Sequence, residues 1–106
     1  MASGQPQEAI RDIALRYADV LRGEFTLRGL YLYGSYAKGT QNADSDIDLA
    51  VVADGLSGDS VDDTWRLMNL RRSIDTRIEP HPFLPSGFTE DNPMAKEVMR
   101  SGIRIV

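Results

Sequence analysis

Apolar side chains recur along the chain at two different spacings, and each spacing predicts a type of element. Over Gln7–Arg22 they recur every three or four positions with charged residues between them, which predicts an amphipathic helix. Similar spacing predicts a second long helix over Ser60–Ser73, in which Trp65 and Met68 are expected to fill the core beneath a sheet. A last helix is predicted over Asn92–Arg100, with a proline in its first turn and a glycine behind it.

Three shorter runs have the composition of strands. Leu30–Tyr33 is apolar and aromatic, and Ile47–Val52 is interrupted only by Asp48, which is typical of a strand buried on both faces in the middle of a sheet. Arg77–Phe83 contains two prolines, so its second half is expected to lie at a sheet edge or to leave the sheet. The last residues, Ile103–Val106, form either a short terminal strand or a docked tail.

The order of these elements predicts an α/β or α+β fold, in which a small mixed sheet is flanked by helices. With 106 residues, a single domain spanning residues 1–106 is expected, with residues 1–6 loose. A chain of this size buries roughly 60–65% of its unfolded surface, which allows one modest core.

Composition narrows the choice of partner. The net charge of −4 argues against long nucleic acid, since domains that hold duplexes usually carry a basic face. The only lysines are Lys38 and Lys96; the other basic residues are arginines, which suit fork-like contacts with phosphate or carboxylate. There is no cysteine, no signal-peptide pattern and no apolar run near ~20 residues, so we expect a cytoplasmic protein with no membrane partner.

The first candidate chemistry is a pair of carboxylates at the start of the second strand. Asp46 and Asp48 are two residues apart, so on a strand they point to the same face. Carboxylates this close repel each other, and burying them is costly unless a cation lies between them. Mg²⁺ binds such oxygens and is commonly completed by water and substrate phosphates. Two such ions ~3.5–4 Å apart would stabilise both oxygens of a phosphoryl-type transfer.

The second candidate is the turn that follows the first strand. Gly34 has no side chain, so a phosphate can approach its backbone closely, and the Ser35 hydroxyl can donate to a phosphate oxygen. The residues Ser35–Lys38 are expected to begin a short helical turn whose N–H groups point at the same place. Lys38 or Arg77 would add positive charge. This arrangement favours a triphosphate ligand.

These motifs resemble the signature of the minimal nucleotidyltransferases, a group within the DNA polymerase β-like superfamily. The similarity consists of Gly34-Ser35, ten intervening residues, and Asp46 and Asp48 around one isoleucine, followed by an apolar strand. The resemblance extends over nearly the whole chain and implies the nucleotidyltransferase (polymerase β-like palm) fold. It also implies a third carboxylate on a neighbouring strand, where Glu79 stands at the position at which the family usually has Asp.

The resemblance further implies a reaction and a partner. Asp46, Asp48 and Glu79 would bind two Mg²⁺ ions, with ATP as the nucleotidyl donor, while Gly34 and Ser35 would hold the outer phosphates. An acceptor hydroxyl would attack the α-phosphorus and pyrophosphate would leave. Small stand-alone members of the group resemble the antitoxin of HEPN–MNT toxin–antitoxin pairs, which transfers AMP to a tyrosine of its HEPN-type partner.

Several of these residues also have simpler interpretations. Asp46 and Asp48 alone could cap a strand in an Asp-rich loop. Glu79 could be a surface residue paired with Arg77 or Arg104, with Asp75 as the rival third carboxylate.

Other residues near the motifs have modest expected roles. Asp44 and Ser45 are expected to be loop residues that shape the approach to Asp46. His81, between two prolines, is expected to be a packed or exposed loop residue rather than a base. The pair Arg71-Arg72 is expected to be a solvated helix end.

Two other functions remain open at this stage. A domain of this fold can neutralise a partner protein by contact alone, with little or no catalysis. It can also act as a subunit beside a separate substrate-binding chain and transfer a nucleotide to a small molecule. The intact pair of aspartates favours the enzyme.

Overall fold

A computed structural model describes residues 6–39 and 46–106 of the chain. The predictions for the loop residues Asp44 and Ser45, and for residues 1–5, lie outside this part. Within these residues the α-helices and strands follow one another in this order: α1 Pro6–Arg22, β1 Thr26–Tyr33, α2 Ser35–Lys38, β2 Ile47–Asp54, α3 Ser60–Leu70, β3 Ile78–Phe83, α4 Pro93–Ser101 and β4 Ile103–Arg104. Short 3₁₀ helices follow α3 at Arg71–Ser73 and β3 at Pro85–Gly87.

The four strands form one mixed sheet in the order β3-β2-β1-β4. β1 is antiparallel to β2 and to β4, whereas β2 and β3 are parallel. β2 is therefore an interior strand, and all but two of its residues are buried. The predicted fold class, a small mixed sheet flanked by helices, is confirmed.

The two prolines of β3 fit because this strand lies at the edge of the sheet. The Ile47 N–H donates to the Arg77 carbonyl at 2.9 Å, so residue 77 and every second residue after it direct their polar backbone atoms toward β2. Pro80 and Pro82 fall on the alternate positions, where the missing N–H groups would have faced the free edge. The edge position expected for the second half of this strand is confirmed.

The two faces of the sheet are covered unequally. α1 and α3 pack on one face around the main core, and the Tyr17 hydroxyl joins them by donating to the Leu67 carbonyl at 2.7 Å. α4 packs on the opposite face over a smaller cluster that includes Ala50, Val52 and Val98. Because α4 has nine residues, part of this second face, nearest the start of β2, is left accessible. Within the described residues, no helix is both long and apolar enough to cross a membrane.

β1 begins four residues before the predicted start at Leu30. Its first half is mostly accessible, and it pairs with β2 through an irregularity between Leu27 and Gly29. Arg28 on this segment forms an ion pair with Asp54 at the end of β2. The early part of the strand is thus held by contacts with other segments, and its single apolar residue, Leu27, does not by itself predict a strand.

The prediction that Trp65 and Met68 fill the core is wrong. The Trp65 side chain is 65% exposed, and Met68 is only half-buried. The inward face of α3 is formed by Leu67 and by Asp63, whose buried carboxylate accepts hydrogen bonds from the loop before the helix, at Ser57 and at the next backbone N–H. Trp65 is two positions from both Asp63 and Leu67, which places it about 200° around the helix from each of them, on the solvent side.

The orientation of α3 can be tested by two substitutions on this helix, one on its exposed side and one on its buried side. We expect Trp65→Ala to change the free energy of unfolding by no more than about 0.5 kcal/mol, because the side chain is already in water. Leu67→Ala should cost about 2–5 kcal/mol, because it empties a fully buried site. Urea unfolding followed by far-ultraviolet circular dichroism measures both. Equal losses in the two variants would contradict the observed orientation of the helix.

Candidate active site

Three neighbouring strands place polar side chains in one row on the accessible face of the sheet. In the register of the sheet, Tyr33 of β1 lies opposite Asp48 of β2, which lies opposite Glu79 of β3. His81 follows two residues after Glu79, so it points to the same face. One possible ligand atom from each of Asp48, Glu79 and His81 lies within 4.8 Å of the other two.

Asp46 completes a group of three carboxylates. It lies one residue before β2 and is exposed, while Asp48 is half-buried. The Glu79 side chain lies close enough to Asp46 and to Asp48 for the carboxyl groups to interact. The two aspartates of the sequence motif and the acid of the neighbouring strand are therefore brought together. The metal and catalytic roles predicted for Asp46, Asp48 and Glu79 stay predictions.

The three acids destabilise one another when all are ionised. Burial raises the pKa of Asp48, and repulsion by Asp46 adds to this, although a hydrogen bond with Glu79 opposes it. Partial loss of hydration, hydrogen bonding with Asp46 and repulsion by both aspartates raise the pKa of Glu79, although its side chain remains accessible. A divalent cation would remove this repulsion, and carboxylate oxygens are the ligands that Mg²⁺ prefers. The residues present therefore fit a divalent cation.

Gly34 brings the glycine-serine turn into contact with this cluster. The residue has φ +75°, a conformation that side chains other than glycine rarely adopt. A Cβ atom placed on Gly34 would overlap Oδ2 of Asp48. Only glycine therefore lets the chain turn sharply after β1 and still leaves room for the Asp48 carboxylate. The backbones of Ser35 and Lys38 follow in α2, and the phosphate-binding roles predicted for Gly34, Ser35 and Lys38 stay predictions.

Two arginines hold β3 in place. Arg77 donates to both carboxylate oxygens of Asp75, from Nε at 3.1 Å and from Nη2 at 2.9 Å. The hydrogen bond from Arg77 holds the pKa of Asp75 below its usual range. Arg71 donates to the Ile78 carbonyl at 2.6 Å. Asp75 is thus paired with Arg77, and Glu79, which lies opposite Asp48 in the sheet, does not use Arg77 as its partner.

The expectation that Arg71-Arg72 forms a solvated helix end is wrong for Arg71. Its side chain is half-buried and bonded to the backbone at the start of β3, whereas Arg72 is exposed as expected. This contact of Arg71 arises from tertiary packing, because the turn after α3 lies beside β3. It could not be predicted from the residue type alone.

His81 is the site residue that sequence reasoning missed. It is a strand residue, not a loop residue, and its Nε2 lies 3.9 Å from Oδ1 of Asp48. Its ring packs edge-on against Tyr33, with ring centroids 5.5 Å apart. Burial lowers the pKa of His81, opposed by the nearby Glu79. His81 is two residues after Glu79, so on a strand the two side chains point to the same face. The flanking prolines led to the prediction of a loop instead of a strand.

The chain matches a known protein family over most of its length. Residues 16–106 match the family described as Polymerase beta, Nucleotidyltransferase. The chain therefore belongs to the polymerase β nucleotidyltransferase family, and it is a nucleotidyltransferase. The resemblance to the minimal nucleotidyltransferases of that superfamily is confirmed.

Individual relatives agree with this assignment. A proposed protein adenylyltransferase from Methanocaldococcus jannaschii is 26% identical over 90 residues, which cover 77% of this chain and 90% of the relative. A toxin–antitoxin structure solved with AMP-PNP contains a chain of similar fold, with TM-score 0.66 and 25% identity over 88% of this chain and 72% of that one. A variant of the MntA–HpeT toxin–antitoxin complex gives TM-score 0.55 and 27% identity, over 85% of this chain and 68% of that one.

Proposed function

We propose that this protein is an antitoxin that transfers AMP from ATP to a tyrosine hydroxyl of a HEPN-type toxin partner, with the help of Mg²⁺. The observation that carries the proposal is the convergence of Asp46, Asp48 and Glu79 beside the backbone of Gly34. It is supported by a relative named as a protein adenylyltransferase and by a neighbour of the same fold that was solved as a toxin–antitoxin complex with a nucleotide analogue.

Each part of the site has a task in this reaction. Asp46, Asp48 and Glu79 would hold two Mg²⁺ ions, which when bound neutralise phosphate charge and make the acceptor hydroxyl more acidic. The open backbone at Gly34, together with Ser35 and Lys38, would hold the outer phosphates. These contacts would orient the α-phosphorus for in-line attack.

The proposed reaction replaces one bond at the α-phosphorus with another. The acceptor oxygen forms a bond to the α-phosphorus, and the bond from that phosphorus to the oxygen bridging it to the β-phosphorus breaks, releasing pyrophosphate. A carboxylate oxygen of Glu79 accepts the hydroxyl proton.

The accessible position of the cluster supports an acceptor that another molecule presents. Glu79 is exposed and Asp48 half-buried, both on the part of the sheet face nearest the start of β2. A side chain of a partner protein can reach this face, whereas an enclosed pocket would admit only a small molecule.

A second candidate function is neutralisation of a partner by contact alone. The observation that favours it is an apolar pair on α3, Val61 and Trp65, which are 76% and 65% exposed. Large apolar side chains in water are common at surfaces that bind other proteins. The two functions differ in whether the partner becomes covalently modified.

The test combines binding with transfer. We expect calorimetry to show ATP binding that requires Mg²⁺, and α-labelled ATP to label a HEPN-type protein but not its tyrosine-to-phenylalanine variant. Label from γ-labelled ATP should not be transferred, because pyrophosphate leaves. Mg²⁺-dependent binding without labelling of a neutralised partner would favour the contact function. Absence of ATP binding with the partner present would overturn the proposal.

A further inference from the structure

We propose that His81 supplies a nitrogen ligand to the divalent cation held by Asp48 and Glu79, and that this ligand makes the site favour Mn²⁺. The inference rests on the proposed function for the existence of a cation site, but concerns a residue and a selectivity that the proposed function does not require.

The positions of the three side chains carry the inference. Their candidate ligand atoms lie within 4.8 Å of one another, and Nε2 of His81 lies 3.9 Å from Oδ1 of Asp48. In an octahedral ion with bonds of about 2.1 Å, adjacent donors lie about 3.0 Å apart and opposite donors about 4.2 Å apart. The histidine-to-aspartate distance of 3.9 Å lies within about 1 Å of either arrangement, so small side-chain shifts would allow both groups to bind one ion. The same distance is too long for a hydrogen bond between the two groups.

The surroundings of His81 leave its ring nitrogens available. Among the described residues, neither nitrogen makes a hydrogen bond, although the side chain is only 31% exposed. A half-buried imidazole usually gains a polar partner, and here a bound cation would provide it. The edge-on contact with Tyr33 and the register between β2 and β3 fix the ring beside Asp48.

Ligand type determines which cations such a site favours. Carboxylate and water oxygens suit Mg²⁺, Ca²⁺ and Mn²⁺, whereas imidazole nitrogen suits ions further along the transition series. Mn²⁺ is the only transition-metal ion of these three, so a nitrogen ligand favours it more than it favours Mg²⁺ or Ca²⁺, although less than it favours the later ions of the series. A site with two carboxylates and one imidazole should therefore discriminate in favour of Mn²⁺ over Mg²⁺ more strongly than the same site without His81.

The experiment reads the nitrogen ligand directly. Pulsed electron paramagnetic resonance on the Mn²⁺-loaded chain detects hyperfine coupling to a coordinated ¹⁴N nucleus. Inorganic tripolyphosphate replaces ATP in the sample, so that adenine contributes no nitrogen. The variant is His81→Phe, which removes the donor and keeps an aromatic ring against Tyr33, and His81→Gln is a second variant in case the first folds poorly. Asp48→Asn serves as the control that removes cation binding itself.

We expect ¹⁴N coupling in the wild type and its loss in both His81 variants. Mn²⁺ affinity should fall about tenfold or more in these variants, while Mg²⁺ affinity should change by less than about threefold. Mn²⁺ binding that depends on Asp48 but shows no ¹⁴N coupling, or coupling that survives in His81→Phe, would overturn the inference and leave the proposed function standing. Failure of the wild type to bind either cation with tripolyphosphate or with ATP, in the presence of the partner as well as alone, would overturn both.

Discussion

Replacing Asp48 with Asn is expected to lower the rate of nucleotidyl transfer by at least about 10³-fold. A loss of this size equals about 4 kcal/mol of transition-state stabilisation, in the range expected when a charged metal ligand is removed. The substitution keeps the shape of the side chain but removes the charge that would hold the cation. The measurement is transfer of label from α-labelled ATP to the partner.

The same variant should fold at least as well as the wild type when no cation is present. Burial and repulsion by Asp46 both disfavour the ionised form of Asp48, so a neutral amide relieves a cost of the apo protein. We expect the melting temperature of the apo variant to equal or exceed that of the wild type. Addition of Mg²⁺ with ATP should then stabilise the wild type only.

A matched control lies at the other end of the same strand. Asp54→Asn makes the identical chemical change about 20 Å away, since six residues of a strand span this length. It loses only an exposed ion pair with Arg28, which is worth at most about 1 kcal/mol. Transfer by Asp54→Asn should equal that of the wild type. If Asp48→Asn kept its activity, the cation site would lie elsewhere.

The elements that sequence reasoning predicted well are those with a strong local pattern. The three- and four-residue spacing of apolar residues in α1 and the continuous apolar run of β2 each specify burial within a few residues, and both elements formed close to their expected ends. β1 was predicted too short because its first half, which includes Arg28 and Gly29, is held by pairing with β2 and by a hydrogen bond from Arg104 to the Arg28 carbonyl. These contacts join segments that are distant in the sequence.

The buried side of α3 was predicted wrongly because it includes a polar residue. Its sequence contains apolar residues on more than one side, and Trp65 is the largest of them. The side that is buried includes Asp63, which is tolerated because the loop at Ser57 donates hydrogen bonds to its carboxylate. Burial alone would raise the pKa of Asp63, but these bonds outweigh it and lower the pKa. No periodicity rule assigns an aspartate to a core.

The candidate site was predictable in its parts but not in its assembly. The motif predicted Asp46 and Asp48 directly, and the resemblance supplied Glu79. The register that sets Glu79 opposite Asp48 depends on the β2–β3 pairing, and the same register brings in His81. The contact between Gly34 and Asp48 likewise depends on the β1–β2 pairing. Each missed relation involves two strands.

Gly34→Ala is expected to disable the site. Gly39 provides a control that separates the effect of backbone strain from that of a collision with Asp48. Gly34 and Gly39 have nearly the same backbone conformation, with φ +75° and +76°. An alanine at either position should cost about 1–2 kcal/mol of folding stability through backbone strain. At Gly34 the new methyl group would also collide with the Asp48 carboxylate, whereas at Gly39 no atom of the described residues lies within 4 Å of it.

The two variants should therefore lose similar stability but different activity. Displacing the Asp48 carboxylate by even ~1 Å is expected to lower transfer by about 10²-fold or more in Gly34→Ala, because the reacting groups are no longer held in position. Gly39→Ala should keep most of its activity once unfolding is accounted for. Chemical denaturation and the transfer assay on both variants provide the comparison. Equal activity in the two would show that the contact between Gly34 and Asp48 does not matter to the reaction, and that the glycine serves the turn alone.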